Sequence, residues 1–555
     1  MKRPGRKAIF EQFQVDGITH MFGNPGTVEQ GFLDEIDGLD GFQYILTLQE
    51  TVAVGIADGY ARATRRPTLL QLHSGVGLGN GIGMLYQARR GHAPLVCVVG
   101  ESGVRYEAMD AQMAADLVGM AKPVTKYATR VIDPVSLLRT LRRAIKIAMT
   151  PPQGPVLVVL PMDVLDTPVD TPVVPTTVPD TRTVPAPEVI RRAASLLSGA
   201  QRPIMLLGDG VAASGAVRET TEVAERLGAE VWLVDSSEPN MPADHPLVRG
   251  QLGHMFGEVS RTAVQDADAV LVVGTYLFPE VFPDLVSPFR PGTRVVHVDL
   301  DSYEVAKNHP VDLGIVADPR LTMAALAAEL WRIGSPETAG AARARQERAA
   351  ARQPAPPHPD SVLAAFLGEL AREVPADVMV FDEALTASPL VAHHLPPRLP
   401  RHSFLTRGGS LGVGIPGAIG MKIAHPDKVV LGFTGDGGSM YTYQALWTAA
   451  RYNVGAKFVV CNNHRYELLN DNIAQYWHER GIAAHSFPSS FDLGHPEIDF
   501  VRLAGALGVP GVRVQKGAEA ADAVRAMFAT DGPFLVDVAT DDLVPTSPVP
   551  DEIIP

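Results

Sequence analysis

The stretch Leu431–Asn463, LGFTGDGGSMYTYQALWTAARYNVGAKFVVCNN, constrains the fold of this chain more than any other. An apolar run from Val429 stops at Gly435-Asp436-Gly437. A helical pattern then passes through Leu446 and Ala450, and a second apolar run, Lys457–Cys461, stops at Asn462-Asn463. That order is a β-α-β unit, and in an open α/β sheet the ligand crevice lies outside the carboxyl ends of neighbouring strands. Gly437 and Gly438 let backbone N–H groups approach a phosphate, and the helix starting near Ser439 offers the positive end of its dipole. Asp436 on one strand end and Asn463 on the other are hard oxygen donors. They suit Mg²⁺, which takes few protein ligands alongside substrate phosphates. An Asp-Gly turn alone is common between any two elements, so the specificity lies in the pair of strand ends.

A chain of 555 residues is long enough for about three domains, each with its own core. Its 48 Lys and Arg against 62 Asp and Glu give a net charge of −14, which argues against a nucleic-acid footprint and for a soluble cytoplasmic protein. The basic Met1–Lys7 is not followed by an apolar export segment, and no run approaches the length of a membrane helix. The two cysteines, Cys97 in LVCVVG and Cys461 in FVVCNN, sit in apolar strand-like runs and read as structural rather than as a disulfide pair.

From Gly17 to about Pro161, short β-rich runs (Tyr44–Leu48, Leu69–Leu72, Leu95–Val99, Val156–Leu160) alternate with helical patterns. The expectation is doubly wound α/β structure across residues 1–165. Residues 166–186, rich in Pro, Thr and Val, read as an extended linker. A second α/β block is expected over 187–334, with strands Ile204–Leu207, Val231–Val234, Ala269–Val273 and Arg294–Val298. Its LLGDGVAASGA lacks a full dinucleotide fingerprint and reads as a plain strand-to-helix turn. A second linker, 335–359, mixes helix formers with a Pro-rich end. A third block, 360–541, runs from the strand Val378–Phe381 to Phe534–Val538, and the proline-containing tail beyond Asp541 reads as a surface strap. The fold class expected is α/β, with three parallel-sheet domains.

Outside the opening unit, two stretches carry chemistry. In THMFGNPGTVEQGFLDEI a strand ends at Asn24-Pro25-Gly26, and Thr27-Val28-Glu29-Gln30 matches a capping box, making Thr27 an expected N-cap at a helix end that also faces a ligand. In FQYILTLQETVAVGIADGYARAT, Glu50 follows a strand and opens a nearly all-apolar helix. A carboxylate complementing the dipole and a functional carboxylate are both consistent with that.

FGNPGTVE, ILTLQETVAVGIADGYAR, LLQLHSGVGLGNGIGMLYQA, PQGPV, SLGVGIPGAIG and GDG…NN, in that order, resemble the benzoylformate decarboxylase and acetolactate synthase-like branch of the thiamine diphosphate-dependent enzymes. The resemblance implies a pyrimidine-binding first domain, a central domain and a diphosphate-binding third domain, with the cofactor held between two subunits of a homodimer or homotetramer. It implies Mg²⁺ on Asp436, Asn463 and the carbonyl of Arg465, and diphosphate along Gly437 and Gly438 with Thr386 and Tyr466. Glu50 matches the carboxylate that hydrogen-bonds the pyrimidine, the Gly409 carbonyl matches the acceptor for the cofactor amino group, and Leu411 matches the apolar wedge beneath it. By residue type alone Leu411 is ordinary core. His73, by itself a satisfied loop histidine, matches the residue that handles protons during turnover. Thr27 joins Glu50 and His73 as a catalytic candidate.

The implied activity is decarboxylation of a 2-oxo acid, with release of an aldehyde or ligation to an aldehyde or 2-oxo acid acceptor; nucleic acid and membrane are not expected partners. Departures from the branch bear on the substrate. Val281 stands where the benzoylformate branch has a second histidine, with Glu280 beside it; Leu385 replaces a hydroxyl residue; and Glu467, Leu468 and Leu469 occupy the substrate-pocket stretch. RVVHVDLDSYEVAKNHPVDLGIVAD resembles the acetolactate synthase central domain, so a ligase of that type stays open. A cyclic diketone hydrolase, a flavin-linked oxidase and an inactive cofactor-binding regulatory homologue also remain.

Overall fold

The computed structural model describes residues 2–253, 255, 257–352, 358–540 and 543. The chain divides into two compact units, one drawn from Met1–Pro179, His358–His394 and Thr406–Pro555, the other from Asp180–Pro357 and Leu395–Leu405.

The first unit contains two parallel sheets. Across the N-terminal sheet the strands run Gln43–Leu46, His20–Gly23, Thr68–Leu72, Leu95–Glu101, Val156–Pro161, Tyr127–Arg130. Every neighbouring pair is parallel. Across the C-terminal sheet the strands of this unit run Met379–Glu383, Val430–Gly435, Lys457–Asn462, Phe534–Ala539, Gly511–Val514, again all parallel. Their central strands are buried on both faces, as the unbroken apolar runs require. The expected β-α-β unit is present: Asp436–Ser439 and Ala445–Arg451 are helical between Val430–Gly435 and Lys457–Asn462.

The helices Glu50–Thr64 and Gly414–Ala424 join the two sheets. A Cβ at Gly59 would lie 2.0 Å from the Gly417 carbonyl oxygen, so the backbones touch where they cross.

The second unit has a six-stranded parallel sheet ordered Val248–Leu252, Glu230–Val234, Pro203–Leu207, Ala269–Val273, Arg294–Asp299, Leu313–Val316. Helices Pro187–Leu197, Val217–Leu227 and Pro319–Ile333 cover it around a core that includes Met205, Leu271 and Met323. The turn at Gly208–Gly210 is filled by its own chain, because the Asp209 carboxylate accepts from the backbone N–H groups of Ser237 at 2.8 Å and Glu238 at 2.9 Å. Ser335 opens a helix, Pro336–Ala350, with a capping box, and residues 170–186 form neither helix nor strand.

Among the strands the sequence did not announce are Tyr127–Arg130, Gly511–Val514, Val248–Leu252 and Leu313–Val316. Each lies at a sheet edge and is only partly buried, so no apolar run marks it. Cys97 and Cys461 are free thiols on buried strands. No helix among the described residues is long and apolar enough to cross a membrane. The tail expected as a surface strap lies, apart from Leu543, outside the described residues.

Candidate active site

Glu50 is the first residue of its helix, and the task of capping that helix falls to its neighbour. The Gln49 side-chain oxygen accepts from the backbone N–H of Thr51 at 2.5 Å and of Val52 at 3.3 Å. The Glu50 carboxylate is therefore not a cap. It is 5% exposed and accepts from Asn80 Nδ2 at 3.0 Å and, more loosely, from Asn24 Nδ2 at 3.4 Å. Helix Ser74–Arg90 approaches it closely through Gly77, where a Cβ would sit 2.7 Å from Glu50 Oε1 and 3.1 Å from His73 Cβ.

His73 leaves the strand Thr68–Leu72 and precedes that same helix. Its Nδ1 pairs with Glu29 Oε2 at 2.8 Å, and the other Glu29 oxygen accepts from the Gly100 backbone N–H at 3.0 Å. Burial raises the Glu29 pKa, while His73 and the Gly100 and Ser74 amides pull it back down. With Nδ1 engaged, Nε2 is the ring atom left to face a ligand. Sequence reasoning placed Glu29 only inside a capping pattern, and the structure makes it the partner of His73.

Thr27 departs from expectation. Gly26, in extended conformation, is the N-cap of a 3₁₀ turn, Thr27–Glu29, that leads into helix Gln30–Ile36, and no side chain caps either element. Thr27 is exposed inside the turn, with its hydroxyl uncommitted to a cap.

On the C-terminal sheet, Asp436 follows the strand Val430–Gly435 and is 6% exposed. Its Oδ1 accepts from the Gly437 N–H at 2.8 Å, and its Oδ2 is buried without a hydrogen-bond partner. Burial raises its pKa against the pull of backbone N–H groups, that of Gly437 first, with those of His464 and Arg465 on the adjacent loop. On that loop Asn463 Oδ1 accepts from the Arg465 N–H at 3.2 Å. The Arg465 carbonyl accepts from Glu467 N–H at 3.1 Å and retains a second lone pair. The Tyr466 ring covers Gly437, where a Cβ would meet it at 2.3 Å. Among the described residues no cluster of three or more His, Cys, Asp or Glu side chains is built to hold a metal. A cation here would take a carboxylate, an amide and a carbonyl.

Glu383 is a second residue that pattern reading missed. Fully buried at the end of Met379–Glu383, it accepts from the Gly412 N–H and, at 2.5 Å, from the Gly414 N–H, and burial pushes its pKa up to about 7. It thereby anchors the loop carrying Gly409 and Leu411. Gly409 is exposed with φ +69°, and Leu411 is half-buried rather than core. Thr386 is exposed on the short 3₁₀ turn after this strand, next to Leu385 at φ +50°. A bulky side chain at such a φ is strained.

Beyond the loop, Glu467 is buried and its carboxylate is tied to the Arg465 guanidinium, so it is not a free pocket acid, while Leu468 is half-buried and Leu469 exposed. In the second unit Val281 is 61% exposed, whereas Glu280 is buried with its pKa raised by burial.

Glu50, His73, Glu29 and Asn80 thus form one set on the N-terminal sheet, and Asp436, Asn463, Arg465 and Tyr466 another on the C-terminal sheet. No hydrogen bond joins Glu50, Glu29 or His73 to Asp436, Asn463 or Tyr466 among the described residues.

Comparison with known proteins gives a concordant picture. Residues 3–120 match the N-terminal TPP binding domain of thiamine pyrophosphate enzymes, 190–326 their central domain and 386–538 their C-terminal TPP binding domain. Benzoylformate decarboxylase of Pseudomonas aeruginosa is 30% identical over 544 residues, covering 97% of this chain and 99% of that protein. Acetolactate synthase isozyme 2 large subunit of Escherichia coli is 28% identical over 545 residues, 97% and 96% of the two chains. The solved thiamine diphosphate-dependent 4-hydroxybenzoylformate decarboxylase of Rhodococcus jostii superposes with a TM-score of 0.82 at 27% identity, over 97% of this chain and 99% of that one. The chain belongs to the thiamine pyrophosphate-dependent enzymes, in the branch of benzoylformate decarboxylase and acetolactate synthase.

Proposed function

We propose that this chain is a thiamine diphosphate- and Mg²⁺-dependent decarboxylase of a 2-oxo acid of the benzoylformate type, with a capacity to ligate the product to an acceptor. The observation that carries the proposal is Asp436 Oδ2, a buried carboxylate oxygen with no partner at a strand end beside the Asn463–Tyr466 loop. Such an oxygen is costly unless a cation completes it. Asp436, Asn463 and the Arg465 carbonyl would hold Mg²⁺, and Gly437, Gly438, Thr386 and Tyr466 would line the diphosphate. Residues 1–165, 187–334 and 360–541 would be the pyrimidine-binding, central and diphosphate-binding domains.

Thiamine diphosphate, when bound, supplies a nucleophilic carbon and an electron sink for loss of CO₂. The chain's own residues do the rest. Glu50, held by Asn80 and released from helix capping by Gln49, shares a proton with the pyrimidine ring nitrogen. The Gly409 carbonyl and Leu411 orient the pyrimidine from the loop that Glu383 anchors. His73, its Nδ1 fixed by Glu29, would give and take a proton at Nε2, and the exposed Thr27 hydroxyl would bind a substrate oxygen.

Val281 favours ligation as a second outcome. By the resemblance this is the position of the branch's second histidine, and valine has no proton to donate there, so aldehyde release would be slower and ligation to an acceptor would compete better. The test is a panel of aromatic and aliphatic 2-oxo acids, benzoylformate first, with both cofactors present, with and without aldehyde acceptors, and products identified by mass. CO₂ release from at least one 2-oxo acid is expected, with a 2-hydroxyketone when acceptor is added. A protein that binds both cofactors and turns over none of the panel is instead a regulatory homologue. Acceptor-insensitive aldehyde release would remove the ligation reading alone.

A further inference from the structure

Helix Ser74–Arg90 carries the neighbour of Glu50, Gly77, near one end, and near the other it docks the loop that bears Gly409 and Leu411. The docking atom is the side chain of Gln87. Its Oε1 accepts from the Arg407 backbone N–H at 2.6 Å and lies 3.5 Å from Thr406 Oγ1. Gln87 is fully buried, as is Asp58 on helix Glu50–Thr64, and Asp58 faces Arg62 Nη1 at 3.6 Å. Burial raises the Asp58 pKa, and Arg62 and then the nearby Gln87 amide pull it down, although Gln87 Nε2 and both Asp58 oxygens are buried without a hydrogen-bond partner. The loop is further seated by Ser410 Oγ on the Gly83 carbonyl at 3.2 Å and by Arg407 Nε on the Arg90 carbonyl at 3.2 Å. An amide whose nitrogen is buried without a hydrogen-bond partner and whose oxygen takes a backbone N–H from the loop has no packing reason to be polar. A Met or Leu would fill the same volume without a desolvation cost.

We propose that Gln87 is a positioning residue for the cofactor. Its buried amide registers the loop Thr406–Gly412 against the two helices that start at Glu50 and Ser74, so the Gly409 carbonyl and Leu411 are held at a set height relative to their own chain's Glu50 and His73. This rests on the reading of Gly409 and Leu411 as cofactor contacts, and in a dimer that shares its sites between chains the same joint links one site to the other.

The test uses the full-length protein. Gln87→Met keeps the volume and removes the acceptor, stranding a buried N–H. In the cofactor-free enzyme, amide exchange of residues 407–412 is expected to speed up on the order of tenfold or more, with the Kd for thiamine diphosphate in saturating Mg²⁺ rising by a similar factor. The double variant Asp58→Asn with Gln87→Glu exchanges amide and carboxylate while keeping an acceptor for Arg407, and both quantities should return to within about threefold of wild type. Unchanged exchange in Gln87→Met overturns the joint itself. Faster exchange with unchanged Kd leaves the joint standing but overturns its role for the cofactor, and with it the reading of Gly409 and Leu411. Should Gln87→Met fail to fold, the exchanged pair still decides: a folded double variant with a loose loop shows that the acceptor at position 87 is not what holds it.

Discussion

Glu50 and Asp436 should fail in different ways. Asp436 is the one carboxylate among the proposed metal ligands, and its Oδ2 is buried without a hydrogen-bond partner. Asp436→Ala is therefore expected to lose Mg²⁺ and thiamine diphosphate together in a calorimetric titration. Glu50→Gln keeps the hydrogen-bond geometry with Asn80 but cannot share its proton, so it should bind the cofactor near normally and lose about 10²–10⁴-fold in turnover. Normal binding by the first variant, or normal turnover by the second, would refute the assignment. Asp436 was legible in the sequence at the end of an apolar run, and Glu50 through the family resemblance, since its residues alone left a helix-dipole role open. Glu29 was not, since its partners His73 and Gly100 lie 44 and 71 positions along the chain. Thr27 misled for a related reason: the T-x-x-Q pattern fits a cap, yet capping is decided by backbone angles, and Gly26 holds the extended ones.

At the scale of elements, the glycine-rich helix Ser74–Arg90 trades helix propensity for close approach. Alanine is worth about 1 kcal/mol over glycine in a helix interior, but at Gly77 its Cβ would press on Glu50 Oε1 at 2.7 Å. Gly77→Ala should leave the thermal midpoint within a few degrees of wild type while weakening thiamine diphosphate binding at least tenfold, measured by calorimetry. The loop anchored by Glu383 carries a pH dependence. The folded group titrates at about 7 against a usual 4.5, so between those values the folded state holds the more protons and stability falls as pH rises. The midpoint of wild type should therefore drop from pH 5 to pH 8 by more than that of Glu383→Gln, since the amide cannot ionise. Equal slopes would show that the carboxylate is not titrating in place. Central strands were legible element by element, because burial on both faces demands unbroken apolar runs. The edge strands Tyr127–Arg130 and Gly511–Val514 were not, because one flank of each has no neighbour and their residues stay half-exposed.

At the scale of the whole molecule, the two sets of site residues sit on two sheets that one chain locks together through the crossing of Glu50–Thr64 and Gly414–Ala424. That packing consumes one face of each helix, and no hydrogen bond closes Glu50 or His73 onto Asp436 or Asn463 among the described residues. Sharing of each site between two chains is what the family resemblance implies, and mixing of defective subunits tests it. Glu50→Gln supplies an intact Asp436 half and Asp436→Ala an intact Glu50 half. If sites form between chains, a hybrid dimer has one site built from both intact halves and one built from both defective halves. Random exchange at equal concentration makes half the dimers hybrid, so activity should rise from near zero to about a quarter of wild type. If each chain builds its own site, every site in the mixture carries one defect and activity stays at the level of the parents. Subunit exchange followed independently, by fluorescence transfer between labelled chains, makes a flat result decisive: exchange without recovery would place Glu50 and Asp436 around one cofactor within a single chain.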